Sequence, residues 1–316
     1  MQLGNLGVFF PVGQLGFEAA IASAQRIEKL GYGTLWHSDS PVFDLPATLA
    51  VLFQHTGRLN LATAILVVYG RPAFLVSAIE RALWAMSGGR FVMGIGTSGR
   101  EFIEGVRNLE FQPPVKLLRE YLTELQAVPD FEALGMDADD PRIAVGNGGA
   151  PPRLIGAIGP RMLNLVRDAC DGTLTYSMPP EHTRWARNLL GGDKLLAVEL
   201  KVLLERNPRR AREIARQAMF PHTELSAFCN AWKRLGFSDC DFPGRGSDRL
   251  VDAVVAWGSP AQIERRIQEY RDAGADHVCL QPVFPDKSRF GKVHWETLES
   301  LAPLDDRGSN RKEFAK

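Results

Sequence analysis

Eight short apolar runs separated by helical stripes limit what this chain can fold into. The runs fall at residues 3–9, 34–37, 59–67, 91–96, 153–157, 172–176, 195–204 and 277–281. Most are apolar throughout rather than at every second residue, which is the pattern of strands covered on both faces by helices. Between them stand amphipathic segments. Phe17, Ala20, Ile21, Ala24, Ile27 and Leu30 make one stripe at helical spacing, closed by Gly31. Asp44 precedes a second helix with Pro46 in its first turn. Pro72, Pro160 and Pro260 open others, where the missing N–H costs nothing. Such an alternation folds as a doubly wound open sheet or as a closed barrel. Eight strands are the number that closes, so the sequence predicts an α/β fold, a (β/α)8 TIM barrel. A single barrel domain is expected over residues 1–304, with a helical insertion after the seventh strand at about 205–258 and a polar tail at 305–316. Residues 129–152 hold several Pro, Gly and Asp and suit a long connection, with room for a short strand at 142–145.

Charge removes whole classes of function. The chain carries 37 Lys plus Arg against 37 Asp plus Glu, which lacks the net-basic footprint of a nucleic-acid binder. No apolar run approaches the ~18 residues of a membrane span. Residues 1–5 show neither the charged nor the apolar region of a secretory signal. Cys170, Cys229, Cys240 and Cys279 have no CxxC spacing, so free thiols are expected, with no disulfide framework and no structural zinc. These bounds fit a cytoplasmic enzyme with a small-molecule substrate and no nucleic-acid or membrane partner.

In a barrel, function gathers where the strands end. Those ends are Phe9-Phe10, His37-Ser38-Asp39-Ser40, Ala64-Ile65, Gly96-Thr97-Ser98, Ile158-Gly159-Pro160, Tyr176-Ser177, Lys201 and Gln281. Gly94-Ile95-Gly96-Thr97-Ser98-Gly99 matches GxGxxG after a strand. The acidic residue a dinucleotide site needs about 20 residues later would be Glu120, within a helical stretch. A glycine turn that meets a phosphate in another geometry and a plain tight barrel turn both stay open. His37, Asp39 and His277 invite a metal, but no HxH or HExxH pairing accompanies them, and none is expected. GxSxG is absent as well, against a serine nucleophile. His37 is the candidate proton donor or acceptor, since an imidazole titrates near neutral pH, and Asp39 is its ionisable neighbour.

Several segments together resemble the bacterial luciferase-like superfamily. They are Trp36-His37-Ser38-Asp39, Thr63-Ala64-Ile65, Gly159-Pro160-Arg161-Met162, Ala273-Gly274-Ala275-Asp276-His277-Val278 and, most specific, Ser87-Gly88-Gly89-Arg90-Phe91-Val92-Met93-Gly94-Ile95-Gly96-Thr97. Within the superfamily the chain is most similar to oxidoreductases dependent on the deazaflavin coenzyme F420, over roughly residues 3–284. The resemblance implies the barrel with its insertion, a homodimer, and F420 as cofactor, with FMN the alternative. It implies that Ala64 and Ile65 back the cofactor ring through a cis non-proline peptide. Gly96, Thr97, Ser98, Ile158, Gly159, Pro160, Arg161 and Met162 would line the ribityl chain and phosphate, and Tyr176 would border the cofactor. Pro160 opens a helix whose N-terminus suits an anion. Substrate would enter over the other ring face, near Phe10, His37, Asp39 and Tyr176. Two positions depart from relatives: Ser40 replaces a histidine, and Gly99 replaces the acid of the sugar-phosphate dehydrogenases.

The expected activity is hydride transfer between a reduced deazaflavin and an organic substrate, with the protein supplying placement and exclusion of water. An FMN-dependent monooxygenase is the alternative within the class. Ser40 and Gly99 motivate a second class, a barrel that binds a flavin or other ligand without turnover. A metal-assisted lyase or hydrolase is the third.

Overall fold

The computed structural model describes residues 2–40, 42–127, 149–284 and 292–303. Its strands are β1 (Leu6–Phe9), β2 (Thr34–His37), β3 (Asn60–Thr63), β4 (Leu66–Val67), β5 (Phe91–Gly96), β6 (Arg153–Gly156), β7 (Gly172–Thr175), β8 (Leu195–Leu203), β9 (Val255–Trp257) and β10 (His277–Pro282). All their pairings are parallel. The order β10-β1-β2-β3-β5-β6-β7-β8, with β10 also bonded to β8, closes eight strands into the TIM barrel that the alternation predicts.

The helices follow in chain order. They are α1 (Phe17–Lys29), α2 (Leu45–His55), α3 (Ala73–Ser87), α4 (Arg100–Gly105), α5 (Pro114–Gln126), α6 (Pro160–Ala169), α7 (Pro180–Leu190), α8 (Pro208–Met219), α9 (Ser226–Arg234), α10 (Asp248–Val254), α11 (Pro260–Asp272) and α12 (Trp295–Ser300). Their starts obey local chemistry. The Asp44 carboxylate accepts the Ala47 amide at 3.1 Å to cap α2, and Ser259 forms a capping box with Gln262 on α11. Among the described residues, no helix is long and apolar enough to cross a membrane.

Alternation along each strand splits the core in two. Phe9, Trp36, Ala62, Val92, Leu154, Leu174, Ala197 and Cys279 fill the barrel interior. Leu35, Leu61, Phe91, Ile95, Leu200 and their neighbours face the helical layer. A bidentate pair, Arg153 on β6 to Glu80 on α3 at 2.7 Å for both bonds, staples that layer to the barrel. The insertion has an apolar centre of its own around Met219, Trp232, Leu250 and Val251.

The structure differs from the sequence expectation at four places. The third run is not one strand over 59–67 but two, β3 and β4, separated at Ala64–Ile65, whose peptide is cis as the resemblance implied. The first strand begins at Leu6 rather than residue 3, because Gly4 turns with φ +75°. The insertion contributes β9 as well as helices, since Val255 lies opposite Lys201 on a stretch of β8 that β7 leaves unpaired. Helix α12, not anticipated, packs back on α1, with Arg26 paired to Glu299 and lying over the Trp295 ring, and the Tyr32 hydroxyl just past α1 donates to the Leu298 carbonyl at 2.8 Å. The suggested strand at 142–145 and the tail at 305–316 lie outside the described residues.

Packing also explains GxG. The glycine motif lies on β5, in mid-barrel, rather than at the first turn of a dinucleotide-binding unit. β3 passes so near β5 that a methyl at Gly94 would run into the Thr63 carbonyl oxygen. The Thr63 hydroxyl donates to the Gly94 carbonyl at 2.6 Å and accepts its amide at 2.8 Å. Gly94→Ala should therefore lower unfolding stability by about 3 kcal/mol, an overpacking cost, readable by urea denaturation. Unchanged stability would mean that the two strands can separate freely.

Candidate active site

The open end of the barrel is organised first by a wall on the β3–β5–β6 side. The chain leaves β3 at Thr63 and bends, and the half-buried Ile65 side chain lies against Gly96 and Gly156. Any side chain at Gly96 would collide with Ile65, so glycine there permits the contact. Gly156 ends β6 and is exposed, leaving bare backbone at the mouth.

One carboxylate braces this wall. Asp39 is 6% exposed at its side chain, and it accepts two bonds from Arg71, at 2.7 and 3.1 Å, and one from Arg107 at 2.6 Å. It also accepts the Val67 amide at 3.3 Å, while its own amide donates to the Ile65 carbonyl. Arg107 continues to the Tyr69 carbonyl, and Arg71 to that of Val67. The bend is thus tied to β2 and to the segment after α4. Removing one partner from such a buried pair typically costs about 3–5 kcal/mol, because the other charge is left uncompensated.

His37 stands apart from the mouth. Trp36 points into the barrel, so alternation turns His37 toward the helical layer with Leu35. It is fully buried, with Nδ1 2.6 Å from the Ser38 carbonyl oxygen. Burial pulls its pKa down to about 4, so the ring is neutral at pH 7. His277 is satisfied deep in the barrel, between the Trp36 indole N–H and the Gly4 carbonyl.

A second region surrounds the start of α6. Gly159 is the N-cap and offers no side chain to the first amides, with Pro160 in the first turn and Arg161 and Met162 following. A methyl on Gly159 would lie 4.0 Å from Arg234 Nη2, which places a guanidinium from the insertion beside this helix start. His182 fixes the approach, its Nε2 lying 3.0 Å from the Ile158 carbonyl oxygen. Thr97, buried, and Ser98, exposed with φ +58°, follow β5, which pairs with β6 just before this helix start. Arg100 is otherwise engaged, with Glu104 at 2.6 Å and over the Phe111 ring.

The third region lies on the β7–β8–β10 side. The Tyr176 hydroxyl donates to Gln281 Oε1 at 2.9 Å, and the Lys201 ammonium sits 4.0 Å above the Tyr176 ring. Lys201 also donates to the Ser177 hydroxyl at 2.6 Å and to both Glu199 oxygens, at 3.1 and 3.3 Å. The side chains of Lys201 and Glu199 are 2% and 0% exposed. Burial alone would lower the ammonium pKa, but the Glu199 charge and hydrogen bonds outweigh it and hold Lys201 protonated, above its ordinary value. Phe9, His222 and Phe228 surround Tyr176 at ring separations of 5.6, 5.2 and 6.4 Å.

The sequence-predicted residues thus divide by place. Ala64, Ile65, Gly96, Thr97, Ser98 and the Ile158–Met162 segment follow neighbouring strands at one end of the barrel, with Tyr176 and Gln281 across the mouth. Asp39 is at the rim as a brace, and His37 is behind it. Sequence reasoning missed Glu199, Arg71, Arg107, Arg234, His222 and Phe228. Glu199 had a usable signal: two charges two residues apart in the apolar run at 195–204 must share one face. The others lie on loops or the insertion, where no periodicity points to a target. Among the described residues, no three His, Cys, Asp or Glu side chains gather to hold a metal ion.

A 5,10-methylenetetrahydromethanopterin reductase of Methanolobus tindarius is 23% identical over 304 residues, covering 85% of this chain and 92% of that one. An F420-dependent secondary alcohol dehydrogenase in complex with an F420–acetone adduct shares the fold with a TM-score of 0.68 at 15% identity, over 96% of this chain and all of the other. So does the FMN-bound oxygenating constituent of a Pseudomonas putida 3,6-diketocamphane monooxygenase, with a TM-score of 0.67 at 15% identity, over 94% and 97% of the two chains. The family model for luciferase-like monooxygenases matches residues 5–277, nearly the whole barrel, and the chain belongs to that family of oxidoreductases.

Proposed function

We propose that this protein moves a hydride between coenzyme F420 and a small organic substrate, in the cytoplasm and as a homodimer. The observation that carries the proposal is the mouth itself. Ile65 laid over Gly96 next to bare Gly156 makes an apolar wall suited to one face of a flat ring. The α6 start, with its glycine cap and Arg234 alongside, suits an anionic tail. A deazaflavin with a phosphorylated side chain fits both. When bound and reduced, it supplies the hydride.

The residues divide the work accordingly. Ala64, Ile65, Gly96 and Gly156 set the ring's depth. Thr97, Ser98 and the Ile158–Met162 backbone, helped by Arg234, hold the ribityl chain and phosphate. Asp39 serves by fixing the wall through Arg71 and Arg107, with His37 packed neutral behind it. Substrate meets the opposite ring face beside Tyr176. FMN would occupy the same wall, and monooxygenation is the outcome to test against. The absent histidine at Ser40 and acid at Gly99 remove the proton-transfer groups of sugar-phosphate relatives, so the chemistry falls to other side chains.

The homodimer reading has its own support. Helix α3 exposes Phe74 (58%), Leu75 (53%) and Met86 (42%), with Ala78 and Ala82 also exposed between them, an apolar row at helical spacing.

Titrating the purified protein with F420 and with FMN, followed by cofactor absorbance, should give at least about tenfold tighter binding of F420 (~1.4 kcal/mol). Preferential FMN binding with oxygen consumption would replace this proposal by the monooxygenase reading. Arg234→Ala should weaken F420 binding by about tenfold, the worth of roughly one charge-assisted hydrogen bond, without changing the melting temperature. Light scattering should return about twice the 34.9 kDa chain mass, falling to one chain in Phe74→Glu. A wild-type monomer would dispose of the dimer.

A further inference from the structure

A buried Lys–Glu pair at the end of a barrel strand has little structural purpose. Two apolar side chains of similar size would pack there without the desolvation that Lys201 and Glu199 suffer. What the pair does is aim one charge. Glu199 spends one oxygen on Lys201 and the other on both Lys201 and the Ser177 amide. Ser177, turned to φ +53° and held by the Trp232 indole N–H on its carbonyl, presents its hydroxyl to the same ammonium. The remaining face of Lys201 meets the Tyr176 ring.

We propose that Tyr176 is the catalytic acid of this site, giving its phenolic proton to the oxygen of an uncharged carbonyl substrate, with Lys201 as the positioning residue that favours the phenolate. This rests on the deazaflavin reading above. Gln281 holds the hydroxyl until substrate takes its place. Burial raises the phenol's pKa while Lys201 opposes the rise, so at neutral pH the group carries its proton and acts as a donor. The charged and titratable groups around it are Lys201, Glu199 and His222. Lys201 and Glu199 cancel, and burial and the Lys201 charge hold the His222 imidazole neutral, at about 3. No net charge is left to greet a carboxylate or phosphate, and the aromatic rings of Phe9, His222 and Phe228 suit an apolar flank.

The step balances. The carbonyl carbon receives hydride from the reduced deazaflavin, the C=O π pair moves to oxygen, and that oxygen takes the Tyr176 proton. One C–H and one O–H bond form, the carbonyl becomes an alcohol, and the deazaflavin, having lost hydride and released its ring N–H proton to solvent, is oxidised by two electrons. The phenolate recovers its proton from solvent as product leaves.

The test uses single-turnover reduction of cyclohexanone by the F420-loaded protein, with [13Cζ]tyrosine-labelled protein as a second readout. Tyr176→Phe should cut turnover by about 10²–10⁴-fold and leave F420 affinity within about threefold. Glu199→Gln/Lys201→Met, which removes the pair together so that no lone buried charge remains, should slow turnover and alter its pH profile. Pyruvate should be reduced far more slowly than cyclohexanone. The Tyr176 label, assigned by its loss in Tyr176→Phe, should shift when cyclohexanone is added. Turnover within about threefold of wild type in Tyr176→Phe with F420 bound would overturn the proposal, as would preference for pyruvate. If wild type takes up no F420, the deazaflavin reading fails by itself, and a Tyr176 label indifferent to cyclohexanone then overturns this one as well.

Discussion

Strand β10 is hydrogen-bonded on both sides, to β8 through six residue pairs and to β1 through three, and everything else at the mouth depends on that closure. A closed ring has no free edge, so its strands need no charged edge residues to discourage pairing with other chains. It also fixes which side chains look inward. Interior space is filled by Phe9, Trp36, Val92, Leu154 and Leu174, leaving concave, polar surface to the strand ends. Gln281 and Lys201 face each other in register across β8 and β10 only because the ring closes there.

Two buried carboxylates, Asp39 and Glu199, then shape that surface in opposite ways. Asp39 draws in two guanidiniums from separate loops, and the result is mechanical: the bend at Ala64–Ile65 is tied from both sides. Glu199 draws in an ammonium from its own strand, two residues on, and the result is electrostatic, a cation presented to an aromatic ring. Both carboxylates lose hydration on burial, and both are repaid in charge-assisted bonds, short ones at Asp39 (2.6 and 2.7 Å) and longer ones from Lys201 at Glu199 (3.1 and 3.3 Å). An isolated carboxylate could hold neither position.

The insertion supplies what the barrel lacks. His222, Phe228 and Trp232 reach the Tyr176–Ser177 turn, and Arg234, from the same helix as Phe228, reaches the α6 start. Its helices pack on one another around Met219, Trp232 and Val251, and β9 anchors them to β8. A rigid scaffold that varies its loops and added segments is a common way for one barrel fold to serve many chemistries.

By itself the sequence determined the fold class and roughly where the eight barrel strands lie. Both follow from local periodicity: continuous apolar runs make covered strands, stripes at helical spacing make the outer layer, and prolines and caps punctuate them. The cis peptide at Ala64–Ile65 was legible only through the family resemblance, and GxG found its physical reason in the approach of β3 to β5. What sequence could not decide was which polar residues meet. Asp39 joins Arg71 and Arg107 across 32 and 68 residues of chain, and Tyr176 joins Gln281 across 105. Such contacts carry no periodicity, because they are set by loop paths and ring closure rather than by spacing. Even the fate of His37 and Asp39 turned on geometry. One residue of strand alternation sent the imidazole into the helical layer, and two arginines from distant loops made the carboxylate a brace.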